Sequence, residues 1–117
     1  MNLITKIFKF DSAHLLKNHS GKCKNLHGHS YSMEICLQGE INKETGMIMD
    51  FGDLKKIVEK RIIEQVDHNF LNDIFDFVPT AENMAKHFFK ILEKEFGQSL
   101  YSVSVWETST CKAEHRG

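Results

Sequence analysis

The sequence has little that would tie it to a disulfide scaffold, a membrane or a nucleic acid. Its three cysteines, Cys23, Cys36 and Cys111, are odd in number and widely spaced with no CxxC pair, which suits reduced thiols better than a disulfide framework. No run of about 18 apolar residues occurs, and lysines interrupt the apolar stretch over residues 1–10, so neither a membrane span nor a signal-peptide core is expected. A cytoplasmic protein is the expectation. Fifteen Lys+Arg against sixteen Asp+Glu leave a net charge of −1, without the cationic excess that nucleic-acid wrapping or a polybasic membrane surface requires. A P-loop, a GxGxxG turn, a GxSxG elbow, an HExxH helix and a deaminase PCxxC are also missing, which removes the usual signals of nucleotide hydrolysis, dinucleotide binding, serine hydrolysis, zincin proteolysis and base deamination. One proline, 26% charged and 41% hydrophobic residues in 117 describe a folding globular chain, and the length suits one domain over 1–117. Histidine is what the chain has in excess: seven, with three between Asn18 and Ser30.

Period-2 alternation marks Leu3 to about His14 as a strand, with Ile4, Phe8, Phe10, Ser12 and His14 on one face and an imperfection at Lys6. A polar loop follows. From His27 the alternation is clean: His27, His29, Tyr31, Met33, Ile35 and Leu37 share a face that is apolar except at its histidine end. Gly39 to Gly46 reads as a hairpin loop and Met47 to Asp50 as a short third strand. Asp50 and Asp53 open a helix with Leu54, Ile57, Val58, Ile62 and Val66 along one side. Thr80 is the predicted N-cap of a second helix, whose stripe of Met84, Ala85, Phe88, Leu92 and Phe96 ends at Gly97. A last strand starts near Ser99. The predicted order βββααβ implies an α+β fold, a four-stranded antiparallel sheet with two helices packed on one face.

Histidines at i and i+2 on a strand project to the same side, so His27 and His29 can converge on one ion. His14 is the best-placed third ligand if the first two strands pair as a hairpin. Three imidazoles with an open fourth position form the pattern of a catalytic zinc; two histidines that merely cap a strand are the plainer alternative. Cys23 stands either as a fourth ligand closing a structural zinc site or as a thiol facing the open position. Between Ser12 and Met33 there is no acid, whereas Lys17, Lys22 and Lys24 all fall there, a field that favours thiolate and attracts anions. His68, after Asp67, answers the helix C-terminus or, through a turn, pairs with Asp67. Glu107 follows Tyr101, Val103 and Val105 on an apolar face, where a carboxylate needs an ion pair, a ligand's N–H groups or a proton-transfer role. Glu82 in a first helical turn is expected from the dipole alone. Cys36 reads as structural, Cys111 has no assigned place, and His19, His87 and His115 read as surface residues.

Taken in order, Phe10-Asp-Ser-Ala-His14, Cys23-Lys-Asn-Leu-His27-Gly-His29, Met49-Asp-Phe51, Val66-Asp-His-Asn69, Pro79-Thr-Ala-Glu-Asn83 and Val105-Trp-Glu-Thr108 resemble the 6-pyruvoyltetrahydropterin synthase family over nearly the whole chain. The spacing from Cys23 to His27 resembles its bacterial 6-carboxytetrahydropterin synthase branch, of queuosine (7-deazaguanine) biosynthesis. The resemblance implies the tetrahydropterin synthase-like (tunnelling) fold and a zinc ion, Zn2+, on His14, His27 and His29. It further implies Cys23 as proton acceptor with His68 and Asp67 as its relay, and Glu107, with Glu82 and Thr80, holding a pterin ring. The implied substrate is 7,8-dihydroneopterin triphosphate. The implied assembly is a homo-oligomer, often a hexamer, with sites between subunits. Relatives often carry Tyr where His115 stands. A pyruvoyl-forming enzyme and a non-catalytic zinc module remain as alternatives.

Overall fold

The computed structural model describes residues 1–17, 21 and 25–117. Strand β1 (Asn2–His14) and strand β2 (His27–Gly39) pair antiparallel along their whole length, from Asn2 opposite Gly39 to His14 opposite His27. Helix α1 (Phe51–Val58) continues through a π-helical segment, Glu59–Ile63, into the short α2 (Glu64–Val66). The two-residue β3 (Asn69–Phe70) and the single turn α3 (Leu71–Ile74) lead to α4 (Ala81–Phe96), which is followed by β4 (Leu100–Thr108) and β5 (Cys111–His115). The strands form one sheet in the order β3-β1-β2-β4-β5.

The helices begin and end for local reasons. Asp50 caps α1 by accepting from the N–H groups of Gly52 and Asp53. Thr80 caps α4 by accepting from Asn83 N–H, and Gly97, at a φ of 57°, lets the chain leave it. Leu54, Val58, Ile62 and Val66 are buried at a strict spacing of four. A plain α-helix would carry that spacing steadily around its axis at 3.6 residues per turn, and the wider π turn takes up the drift. These residues and the α4 stripe of Met84, Ala85, Phe88, Phe89 and Leu92 cover Phe8, Phe10, Tyr31, Met33, Ile35 and Leu37 of the sheet. Each fully buried large side chain contributes about 1.5–3 kcal/mol.

The expected α+β layer is present, with three corrections. Met47 to Asp50 is not a strand, because both edges of β2 are taken, by β1 and by β4, leaving no partner for a chain returning from it. The sheet has five strands rather than four: β3 adds two residues parallel to β1, and β5 returns from β4 through Ser109-Thr110. At the start of β4 the core residue is Leu100 and not Tyr101, beside a register irregularity between Cys36 and Leu37. Cys111 thus begins β5 as an exposed free thiol, while Cys36 is buried on β2 between Ile35 and Leu37.

Candidate metal centre and active site

The β1–β2 hairpin sets His14 opposite His27, with His29 two residues further along β2, and alternation turns all three to one side. Their ligating nitrogens lie within 4.8 Å of one another. Nε2 of His14 is 2.9 Å from Nε2 of His27. What the opposite ring nitrogens do decides the tautomers. His14 Nδ1 is 2.9 Å from the carbonyl oxygen of Pro79 and His27 Nδ1 is 2.8 Å from that of Asn25. A carbonyl can only accept, so both rings carry the proton on Nδ1 and present an Nε2 lone pair to the centre. His29 Nε2 is buried without a hydrogen-bond partner among the described residues, and burial lowers its pKa against the smaller opposing pull of Glu107. A neutral imidazole with an unmatched buried nitrogen, beside two converging lone pairs, suits a metal ion that prefers nitrogen ligands. The donor set therefore fits.

Tyr31, fully buried beneath the centre, places its hydroxyl 3.1 Å from His14 Nδ1, and its pKa is pushed up first by burial and then by Glu107. Glu107 sits where the β4–β5 register shifts between Trp106 and Thr108. Its Oε1 lies 3.4 Å from His14 Nε2 and 3.8 Å from His29 Nε2. The apolar-face carboxylate thus stands beside the histidine cluster, where a bound cation would offset its charge. Behind it, Glu107 and Glu82 line one cleft of about 390 Å³ together with Lys112 and Cys111. Thr80 does not join them. Its oxygen caps α4, and the residue lines the neighbouring cavity with Leu15 and Asn72.

Asp67 and His68 meet through the turn that their adjacency requires. His68 adopts a φ of 59°, which brings its Nδ1 to 3.0 Å from Asp67 Oδ2. The N–H of Asp11 donates to Asp67 Oδ1 at 2.9 Å, and this bond leads the causes that hold the Asp67 pKa below its ordinary value. With Nδ1–H engaged, His68 presents Nε2 outward, and His68 and His29 line the same open cavity of about 590 Å³. Cys23, the expected proton acceptor, and His19 lie outside the described residues. His87 and His115 are not the bare surface residues expected: His87 is half-buried against Phe75 and Phe77, and His115 packs on Phe89. Sequence reasoning missed Pro79 because a backbone carbonyl has no side-chain signature. It counted Tyr31 only as apolar surface, although its place on the face of His27 and His29 was the available signal.

Fold and site together define a class: an α+β protein built around a strand-borne cluster of three imidazoles that could hold a metal ion, with a carboxylate at its side. The 6-pyruvoyl tetrahydropterin synthase family model matches residues 3–117, and the chain belongs to that family. It is 36% identical to the 6-carboxy-5,6,7,8-tetrahydropterin synthase of Haemophilus influenzae, with 97% of each chain covered. It is 39% identical to the Synechocystis protein of the same name, covering 98% of this chain and 93% of that one. Among solved structures, 6-pyruvoyl tetrahydropterin synthase of Caenorhabditis elegans superposes with a TM-score of 0.88 at 31% identity, covering 100% of this chain and 97% of that one. The expected tetrahydropterin synthase-like fold is thereby the one observed.

Proposed function

We propose that this chain, a single domain over residues 1–117, is a zinc-dependent 6-carboxytetrahydropterin synthase. It would convert 7,8-dihydroneopterin triphosphate to 6-carboxy-5,6,7,8-tetrahydropterin, releasing acetaldehyde and triphosphate, in the cytoplasmic route to queuosine. The observation that carries the reading is the convergence of His14, His27 and His29 nitrogens within 4.8 Å, with Glu107 at 3.4 Å from the first, in a chain 36–39% identical to relatives of that name. Bound to these three rings, zinc would supply Lewis acidity toward the substrate's side-chain oxygens. The remaining work falls to the protein. Glu107 and Glu82 offer carboxylate oxygens to the ring N–H groups across their shared cleft. Cys23, in the acid-free stretch, takes a proton as thiolate, and His68 Nε2 passes protons while Asp67 holds the other side of its ring.

Assembly into a homo-oligomer, a hexamer by resemblance, draws support from the sheet edges. The outer edge of β1 is paired by β3 only at Ser12 and Ala13, and Leu3 and Ile7 on that strand are exposed. The test is incubation of the zinc-loaded protein with dihydroneopterin triphosphate and mass analysis of the product. A 6-carboxy product supports the reading and its absence overturns it. A 6-pyruvoyl product would favour the second reading, which rests on the likeness to the nematode enzyme. Substituting Cys23→Ala separates both from a zinc module. The enzyme keeps its metal and loses turnover, whereas a module closed by Cys23 loses the metal.

A further inference from the structure

At the C-terminal end of β1, from Asp11 onward, the outer edge is closed by a short stretch that pairs with it residue by residue. Asp11 N–H donates to Asp67 Oδ1, His68 N–H donates to Asp11 O at 2.6 Å, and β3 then sets Asn69 beside Ser12 and Phe70 beside Ala13. The Ser12 hydroxyl donates to the Val66 carbonyl in the same row. On the other edge, pairing with β2 ends at His14 opposite His27. Leu15 is the first residue beyond the sheet. Its N–H donates to Asn72 Oδ1 at 3.0 Å, and its carbonyl accepts from Asn72 Nδ2 at 3.0 Å. One carboxamide thus makes both hydrogen bonds that a neighbouring strand would make. Asn72 is itself held by the fully buried Leu71 beside it at the start of α3.

Strand ends fray because their last pair has support on one side only. The last β1–β2 pair is His14 and His27, two members of the histidine centre, and the Asn72 bonds to Leu15 supply the support just beyond it. A metal site tolerates little such movement, since ligand atoms have to stay within about 0.2 Å of their ideal distances. We propose that Asn72 is a positioning residue for the metal centre: by clasping both backbone groups of Leu15 it extends the sheet one residue past His14 and keeps that ligand in register. The inference rests on the reading that His14, His27 and His29 hold a metal.

The experiment is a Co2+ titration of the full-length apoprotein, following the visible absorption of the bound ion, on wild type, Asn72→Ala, Asn72→Asp and Val58→Ala. Loss of an outer partner of a metal ligand typically weakens binding about 10- to 100-fold, and N72A is expected in that range with an altered spectrum. N72D keeps the acceptor for Leu15 N–H and lacks the donor for its carbonyl, so it falls between N72A and wild type. Val58, fully buried in α1 and contributing no ligand, is the stability control: V58A is expected to melt lower yet bind Co2+ within about twofold of wild type. The proposal is overturned if N72A matches wild type in affinity and spectrum, or if V58A weakens binding as much as N72A. Should N72A fail to fold, wild-type affinity in N72D alone overturns it. Wild-type turnover of dihydroneopterin triphosphate, measured separately, tests the functional reading: lost turnover with weakened N72A binding sinks that reading and leaves the clasp standing.

Discussion

Replacing Tyr31 with Phe asks which of two neighbours sets the tautomer of His14. The hydroxyl is 3.1 Å from His14 Nδ1 and the Pro79 carbonyl is 2.9 Å away. A hydroxyl can donate or accept, whereas the carbonyl only accepts, so the carbonyl alone places the proton on Nδ1. Tyr31→Phe therefore leaves the tautomer intact and creates no orphaned nitrogen. The ring keeps its stacking on Phe10, at 5.0 Å between centroids. The cost is one buried hydrogen bond, about 0.5–1.5 kcal/mol net. In a chain of this size that lowers the melting temperature by about 2–6 °C. Because about 1.4 kcal/mol corresponds to a factor of ten, metal affinity should fall by less than about tenfold. Thermal unfolding of the apoprotein and zinc competition against a chelator measure the two effects. A loss of about 100-fold in affinity with little change in melting would refute the reasoning and transfer the tautomer control to the hydroxyl.

On the proposed function, in which the carboxylate would grip the substrate and the three imidazoles would hold the ion, Glu107→Gln should lower turnover by about 100-fold or more while the zinc stoichiometry stays unchanged; loss of bound zinc would make Glu107 a ligand instead. Asp67 titrates below its ordinary value of 3.8 in the folded protein, so its contribution to stability is fully present above that value and is lost as the pH falls through the depressed pKa. The stability gap between wild type and Asp67→Asn should accordingly close in acid, and chemical unfolding that shows a constant gap down to pH 2 or so would contradict the hydrogen bond from Asp11 as its cause. Leu92→Ala, at a fully buried position of α4, should cost about 2–5 kcal/mol in the same assay, and a loss below about 1 kcal/mol would mean that the α4 stripe is not core.

Where residues close in sequence share one element, the sequence made the arrangement legible. The pairing of His27 with His29, the N-caps Asp50 and Thr80 and the stop at Gly97 follow from period and side-chain chemistry alone, and each appears in the structure. The approach of His14 needed only the assumption that the first two strands form a hairpin. Glu107 drew notice as a carboxylate on an apolar face, and its proximity to the centre supplies the reason. Contacts made by backbone groups left no such mark. Pro79 meets His14 across 65 positions of sequence, and Asn72 meets Leu15 across 57.

The amino-acid sequence by itself determined the local rules: which faces of β1 and β2 are apolar, where α1 and α4 begin, which histidines can point the same way, and the family to which their ordered motifs belong. Tertiary structure decided the rest. Occupation of both edges of β2 excludes a third strand at Met47 to Asp50, and the return of β5 on β4 places Cys111 beside Glu107. The tautomer of His14 was settled in the same way, by the Pro79 carbonyl that only the folded chain brings to its ring. The physical reason is common to all three. Period and propensity act between near neighbours, whereas a hydrogen bond is satisfied by whatever the completed fold places within about 3 Å.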